Sequence, residues 1–325
     1  MLRRTFVTGA LGAVALPGRP FAQSGGTPRV GWITAQRDSS LSANLEAFRT
    51  VLARLGYAEG QSVEIVFRYG DDDPLKVPGF AAEMERLPVD VVVVQGVAVS
   101  ILSRLGLRVP IVYITSGDPI AAGYAESLAK PHAGMTGVTL MVAELNVKRM
   151  AILKEVIPEL NRVAVVANPQ HPGESVERGF AEHAGRLLGL KIDYYQTRNE
   201  QELASAFAAI SKDPPRAMSV FSDGFALQNS ARLAEFALAQ RIAMIAGWAA
   251  FSERGALCSY GPPIAEAYGK LAYYVHRILK GSTPAELPIE QPTQFELVVN
   301  LRTAGALGLA ISPNFLIQAD RLIEA

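Results

Sequence analysis

The sequence has little of what covalent or metal chemistry needs. Cys258 is the only cysteine in 325 residues, so an intrachain disulfide and a zinc site built from several thiolates are both excluded. The four histidines are scattered along the chain without the spacing of metal ligands. An acidic run at residues 71–73 lacks the spaced oxygen ligands of a calcium site and is predicted to be a solvated turn. The sequence therefore predicts no metal site.

Motifs for nucleotides and for serine nucleophiles are also missing. The stretch 31–35 lacks the glycine spacing that a dinucleotide pyrophosphate requires. Neither a G-x-x-x-x-G-K phosphate loop nor a G-x-S-x-G nucleophile elbow occurs. Two-lobed α/β racemases use a pair of cysteines, which this chain does not have. We therefore expect neither an enzyme nor a bound cofactor.

Neither sign of charge dominates the chain. Its 31 basic and 31 acidic residues give a formal net charge of zero, which provides no field to attract DNA, RNA or an anionic membrane. No apolar run approaches the roughly 20 residues that a membrane-spanning helix needs. The composition therefore predicts neither a nucleic-acid partner nor insertion into a membrane.

The first 22 residues have the layout of a bacterial export signal. The pair Arg3-Arg4 is followed by an apolar stretch at residues 6–16 and by an exit rich in proline and glycine. The pair also resembles a twin-arginine signal, although adjacent arginines occur in ordinary signals too. We expect residues 1–22 to be removed and the mature protein to be periplasmic. A disordered tail is the alternative interpretation.

The rest of the chain alternates short apolar runs with amphipathic segments, which is typical of parallel sheets covered by helices on both faces. The predicted strands are residues 29–34, 63–69, 89–94, 109–114, 162–167, 190–196, 217–221, 242–245, 256–260 and 295–300. Arg29 precedes Gly56 by the same number of residues as Arg162 precedes Gly189. With the matching order of elements around it, this spacing indicates two similar Rossmann-like α/β lobes.

Candidate ligand contacts follow from this pattern, because the loops at the carboxyl ends of parallel strands form the ligand crevice. The candidates from the first half are Thr34, Gln36, Gln95, Gly96, Val97, Ser116 and Asp118. Those from the second half are Asn168, His171, Asp223, Phe225 and Trp248. Several have a purely structural alternative. Asp118 and Asp223 precede predicted helices and would cap them, and a helix is predicted from Pro119 onward.

Several stretches carry a resemblance to a known family. They are residues 48–49, 55–61, 116–119, 137–139, 168–169, 222–223, 259–261 and 291–301. With these stretches in order, the chain resembles substrate-binding proteins of ABC import systems, in the tryptophan/tyrosine-type or uncharacterised-transport branch. The resemblance implies a periplasmic-binding-protein type I-like fold, with ligand held between two lobes. It also implies a permease with a cytoplasmic ATPase as partner. The protein is expected to be a monomer, and a sensor working with a chemoreceptor or kinase is the alternative function.

We expect the two lobes to be discontinuous in sequence and joined by a three-segment hinge. The first lobe is predicted to comprise residues 28–137 and 256–286, and the second residues 138–255 and 287–325. Where relatives carry a Gly-Thr pair, this chain has Gly96-Val97, so a hydroxyl contact to a ligand carboxylate is lost. The candidate set predicts a small organic ligand with an apolar or aromatic body and polar ends, including an amine that faces Asp223.

Overall fold

The computed structural model describes residues 26–38, 42–132, 134–140 and 143–324. The predicted export signal at residues 1–22 lies outside the described residues. Within the described part, none of the helices combines the length and the apolar character needed to cross a bilayer.

The first sheet is built from the amino-terminal strands. Its members are β1 (Arg29–Thr34), β2 (Glu64–Tyr69), β3 (Val91–Gln95), β4 (Ile111–Thr115) and β7 (Met135–Thr139). They pair in parallel in the order β2-β1-β3-β4-β7. All residues of β3 and β4 are buried, as expected for parallel strands with both faces covered. A small hairpin of β5 (Ala125–Ser127) and β6 (Lys130–Pro131) lies between β4 and β7 in the chain.

The second sheet has seven strands. They are β8 (Arg162–Ala167), β9 (Lys191–Gln196), β10 (Ala217–Val220), β11 (Ala243–Ala246), β12 (Cys258–Gly261), β13 (Glu296–Asn300) and β14 (Arg321–Ile323). Their order is β14-β13-β12-β11-β10-β8-β9, and every pairing is parallel except that of β12 with β13. The predicted α/β architecture with two largely parallel sheets is confirmed.

Helices connect these strands. They are α1 (Ser42–Arg54), α2 (Val77–Arg86), α3 (Val97–Leu105), α4 (Leu145–Val156), α5 (Glu174–Leu188), α6 (Glu200–Lys212), α7 (Gly224–Gln228), α8 (Ser230–Ala239), α9 (Ala249–Glu253), α10 (Ile264–Leu279), α11 (Leu301–Leu307) and α12 (Pro313–Leu316). We call the first sheet with α1, α2, α3 and α10 the first lobe, and the second sheet with the other helices the second lobe.

Helix α10 returns to the first lobe after the chain has built most of the second. It packs against α1, β3, β4 and β7. The fully buried Trp32 of β1 lies between the two helices, with its ring centroid 5.0 Å from that of Phe48 on α1 and 6.2 Å from that of Tyr268 on α10. Aromatic packing of this kind buries a large apolar area. The first lobe is therefore completed by residues more than 200 positions away in sequence.

Two of the predicted lobe boundaries are wrong, because strand pairing extends further than the apolar pattern indicated. β12 pairs with β11 and β13, so residues 258–261 belong to the second sheet and the chain crosses at Pro262-Pro263. β7 stays in the first sheet as far as Thr139. The returning segment runs beside this strand, where the N–H of Thr139 donates to the carbonyl of Glu290 at 2.9 Å.

The helix predicted from Pro119 is also wrong. The segment forms a short run of turns, in which the Asp118 carboxylate accepts the N–H of Ile120 at 2.8 Å. Gly123 adopts a left-handed conformation with φ of 75°, which ends the turn before β5 begins. The capping geometry of Asp118 was therefore anticipated, but the segment that it caps is too short to be a helix.

Gly137 offers a test of how tightly β4 and β7 are paired. A Cβ atom at this position would lie 2.0 Å from the carbonyl oxygen of Tyr113, its partner on β4. Gly137→Ala should therefore lower the free energy of unfolding by about 1–3 kcal/mol or more, as overpacking of a buried site does. Urea denaturation would measure the loss. Gly305→Ala is the control because nothing lies within 4 Å of its Cβ position, and equal effects of the two changes would contradict the prediction.

Candidate ligand-binding site

A cleft lies between the carboxyl edges of the two sheets and is divided into two neighbouring compartments. Each has a volume of about 50 Å³. Both are lined by Gln36, Gln95, Gly96, His171, Asp223 and Gly224. One of them, which we call the Asn168 compartment, is otherwise lined by Thr34, Ala35, Asp72, Pro74, Val97, Asn168, Gln170, Arg198 and Phe225. The other, which we call the Trp248 compartment, is mainly apolar and is otherwise lined by Asn44, Ile114, Thr115, Ser116, Leu140, Leu227, Trp248, Ile264 and Tyr268.

The structure brings all but one of the predicted contact residues to this cleft. The exception is Asp118, whose exposed carboxylate only closes the turn described above. The other candidates lie at the cleft because the loops that carry them all leave the carboxyl edge of their sheet. Sequence reasoning missed Asn44 on α1 and Tyr268 on α10, which enter the cleft from helices rather than from strand ends.

Asp223 provides the buried acid of the site. Its carboxylate accepts the N–H of Ala226 at 2.7 Å and the side-chain N–H of Asn168 at 2.8 Å. Burial raises the pKa of Asp223 to about 6, and these hydrogen bonds counteract part of the rise. Asp223 therefore caps α7 and also presents a carboxylate to both compartments. An ionised carboxylate in this position is suited to hold a ligand ammonium group.

A chain of neutral hydrogen-bonding groups faces Asp223 from the first lobe. The Tyr268 hydroxyl donates to Gln95 Oε1 at 2.7 Å. The Gln95 side-chain amide donates in turn to Gln36 Oε1 and, at 3.3 Å, to the hydroxyl of Thr34. These bonds orient both glutamine amides, so this chain of residues supplies oriented donors and acceptors that carry no charge.

Ser116 and His171 form a hydrogen bond across the cleft through the serine hydroxyl and Nε2 of the imidazole. The backbone N–H of Gly173 donates to Nδ1 of His171 at 3.2 Å, so Nδ1 is an acceptor and the ring proton is on Nε2. A general base that activates a serine needs the opposite tautomer. Burial also lowers the pKa of His171 to about 4. The pair therefore joins the lobes and is not arranged as a nucleophile with its base.

A buried polar cluster lies behind His171. Glu177 Oε1 is 3.7 Å from His171 Nδ1, and Asn146 links Glu177 to Arg149 through contacts of 3.4 and 3.2 Å. Arg149 also donates to the carbonyl of Tyr260 at 2.9 Å. Burial raises the pKa of Glu177 and lowers that of Arg149. The cluster connects the cleft to the segments next to two lobe crossings, and nothing in the sequence pattern indicated it.

The lobes are in close contact around the cleft. A Cβ atom at Gly173 would lie 2.9 Å from the Cα of Gly117, so the two backbones touch. Gln228 donates to the Asp72 carboxylate at 2.9 Å from the opposite lobe. Asp72 also pairs with Arg37 at 2.6 Å and adopts a left-handed conformation with φ of 68°. The prediction that residues 71–73 form only a solvated turn is therefore wrong for Asp72.

In the described part of the chain, no group of three or more histidine, cysteine or acidic side chains is arranged to hold a metal ion. The site is instead a two-lobed cleft with one buried acid, neutral amides and an apolar interior.

A sequence model of a protein family, described as ABC transporter substrate binding protein, matches residues 32–323. The chain belongs to this family. The predicted family and the type I periplasmic-binding-protein-like fold are thereby confirmed.

Known relatives are distant in sequence and similar in structure. A tyrosine-binding protein of Clostridioides difficile is 19% identical over 281 residues, which cover 83% of this chain and 78% of that protein. A conserved domain protein from Vibrio cholerae has a TM-score of 0.84 at 22% identity, covering 91% of this chain and all of the other. A domain from Streptococcus pneumonia in complex with L-Trp has a TM-score of 0.82 at 20% identity, covering 92% and 100%.

Burial of Asp223 predicts a specific dependence of stability on pH. Its pKa is raised on folding, so the native state binds the proton more tightly than the unfolded chain. The free energy of unfolding of the parent protein, minus that of Asp223→Asn, should therefore decrease by about 2–3 kcal/mol as the pH rises from 4 to 8. Urea denaturation across this range tests the sign. Asp73→Asn, which changes the cap of residues 74–76, is the control. The prediction is contradicted if the difference in unfolding free energy between the parent and Asp223→Asn proteins does not change with pH.

Proposed function

We propose that this protein is an exported solute receptor that captures a small amino-acid-like molecule between its lobes and delivers it to an ABC import permease. One observation carries the proposal. A buried carboxylate, that of Asp223, and an apolar compartment lined by Trp248 open into the same cleft. This combination suits a molecule with an amine at one end and an apolar body beyond it.

The polar groups of the cleft support a zwitterionic ligand. Asp223 is suited to the ammonium group. A carboxylate would lie near Gly96 and Val97, where α3 begins and where the described structure has no side-chain cap, because helix amino termini attract anions. Among the described residues that line the cleft, Arg198 is the one cationic side chain; it lines the Asn168 compartment, and its guanidinium already pairs with Glu202 at 2.6 Å. A highly charged anion is therefore disfavoured. The names of the relatives, which refer to tyrosine and tryptophan, support the amino-acid class.

Membership of the family supports the proposed partner and location. Substrate-binding proteins of ABC importers work outside the cytoplasm and pass ligand to a permease, and we extend this role to the present chain as a periplasmic monomer. Deletion of its gene should abolish uptake of the ligand, while restoring the gene on a plasmid should restore uptake. Unchanged uptake in the deletion strain would refute delivery to a permease.

Export is tested by the fate of residues 1–22. Mass spectrometry of the protein from its native host should find a mature form in the periplasm that begins near Gln23. Replacing Arg3 and Arg4 with lysine should block export if the pair acts as a twin-arginine signal. Full-length protein retained in the cytoplasm would contradict the prediction of export.

Ligand binding is tested with amino acids, amines and small aromatic acids by thermal shift and then by calorimetry. A ligand at 100 times its dissociation constant should stabilise the protein by about 2.7 kcal/mol. Asp223→Ala should weaken the binding of an amine-bearing hit by about 10- to 100-fold, as expected for the loss of one charge-assisted hydrogen bond. Asp118→Ala makes the same chemical change outside the cleft and should leave affinity unchanged. Equal affinities of the Asp223→Ala and parent proteins would show that Asp223 is only a helix cap.

A further inference from the structure

The acidic turn at residues 70–73 is fixed to the first lobe through its backbone. It follows β2 and lies against the loop that follows β1. The N–H of Gly70 donates to the carbonyl of Thr34 at 2.9 Å. The N–H of Asp72 donates to the carbonyl of Ala35 at 2.7 Å. A Cβ atom at Gly70 would lie 2.8 Å from the Cα of Ala35, so the two loops are in backbone contact. The turn is therefore held in one place on the first lobe.

Two consecutive aspartates of this turn adopt left-handed backbone conformations. Their φ angles are 55° at Asp71 and 68° at Asp72. Aspartate enters this region more readily than most residues, but a residue other than glycine is still strained there and stays only where its surroundings hold it. With this backbone the Asp72 carboxylate reaches the second lobe. There Gln228, the last residue of α7, donates to it at 2.9 Å.

The Asp72 carboxylate is held from both lobes. Arg37 of the first lobe pairs with Oδ2 at 2.6 Å, and Gln228 of the second lobe donates to Oδ1. The Asp72 side chain is only 17% exposed, so the bond to Gln228 joins a partly desolvated charge. Hydrogen bonds to ionised groups are stronger than those between neutral groups. Gln228 itself lines neither compartment of the cleft, so its bond connects the lobes without contacting the ligand space.

This bond lies at the edge of the first sheet that is farther from the crossings beside β7. The sheet order is β2-β1-β3-β4-β7, and Asp72 follows β2. The chain leaves the first sheet at the end of β7, and the returning segment at Glu290 is bonded to the same strand. Neighbouring strands are about 4.8 Å apart, so four intervals place the two edges roughly 19 Å from each other. When lobes rotate about such crossings, the far edge moves most, so opening breaks the bond between Asp72 and Gln228.

We propose that the hydrogen bond between Asp72 and Gln228 is a latch that holds the two lobes closed and slows the release of bound ligand. This inference rests on the proposed function, because a receptor must open to take up and to deliver its ligand. The bond exists only while the lobes are closed, so it shifts their equilibrium toward the closed arrangement. Since Gln228 lines neither compartment, a change at this residue acts on the ligand through that equilibrium.

Changes at the two positions isolate the latch. Gln228→Ala removes the donor. Gln228→Glu keeps the shape of the side chain but places a second carboxylate against that of Asp72. Combining Gln228→Glu with Asp72→Asn gives the first lobe a donor and the second an acceptor, and asparagine tolerates the left-handed backbone. Gln240→Ala is the matched control, because Gln240 is also a half-buried glutamine at a helix end and lines neither compartment.

The lobe equilibrium can be measured without ligand. Cys258 is buried, so spin labels attach to the cysteines of Gln61→Cys in the first lobe and Gln201→Cys in the second, both exposed positions. Double electron–electron resonance should find open and closed populations in the labelled parent and Gln240→Ala proteins. The ratio of open to closed protein should rise at least threefold in Gln228→Ala and further in Gln228→Glu, and it should return toward the parent value in the double variant.

Three outcomes of this measurement would overturn the latch. They are a parent protein without a closed population, equal ratios in the parent and Gln228→Ala proteins, and a double variant as open as Gln228→Glu alone. The last outcome would show that the glutamine acts through its own lobe rather than through Asp72.

Ligand release is measured with the L-amino acid, among the twenty standard ones, that binds the parent most tightly. In stopped-flow fluorescence, Gln228→Ala should raise its dissociation rate constant at least threefold, and Gln240→Ala should leave it unchanged. An unchanged rate constant in Gln228→Ala would overturn the role of the latch in retaining ligand. If none of the twenty binds the parent, the amino-acid class of the proposed function is refuted, and the spin-label distances alone decide whether Asp72 and Gln228 hold the lobes closed.

Discussion

Beside the cleft, the backbones of the two lobes are in direct contact at a pair of glycines. Gly117 follows β4 and Gly173 precedes α5, and the Cα of one lies against the position that a Cβ atom of the other would take. This contact sets how closely the lobes approach. The hydrogen bond between Ser116 and His171 and the one between Gln228 and Asp72 form only at this separation. The small volume of the cleft and the burial of Asp223 are consequences of the same approach.

A polar cluster of the second lobe is also buried near the cleft. The Arg149 and Glu177 side chains are fully buried, yet one nitrogen of Arg149 and one oxygen of Glu177 have no partner among the described residues. Buried polar groups without a hydrogen-bond partner cost free energy. The position of these two side chains between His171 and the carbonyl of Tyr260 links the cleft to the crossing at Pro262-Pro263.

Membership of the family establishes the fold and the general role, while the ligand depends on a few side chains. The two solved structures named above are 20–22% identical to this chain, a level that shows the shared fold alone. In this chain the side chains on which the proposed ligand depends include the buried Asp223 and Trp248.

The sequence by itself determined the alternation of strands and helices, the two-lobed architecture and most of the lining of the cleft. These features depend on local periodicity and on one geometric rule, that parallel strands end at the same edge. Only the tertiary structure decided that β12 belongs to the second sheet, since strand pairing depends on distant partners. It also decided that Tyr268 and Asn44 enter the cleft and that Asp118 stays outside. Each of these depends on how closely segments far apart in sequence approach one another, a distance that no local pattern encodes.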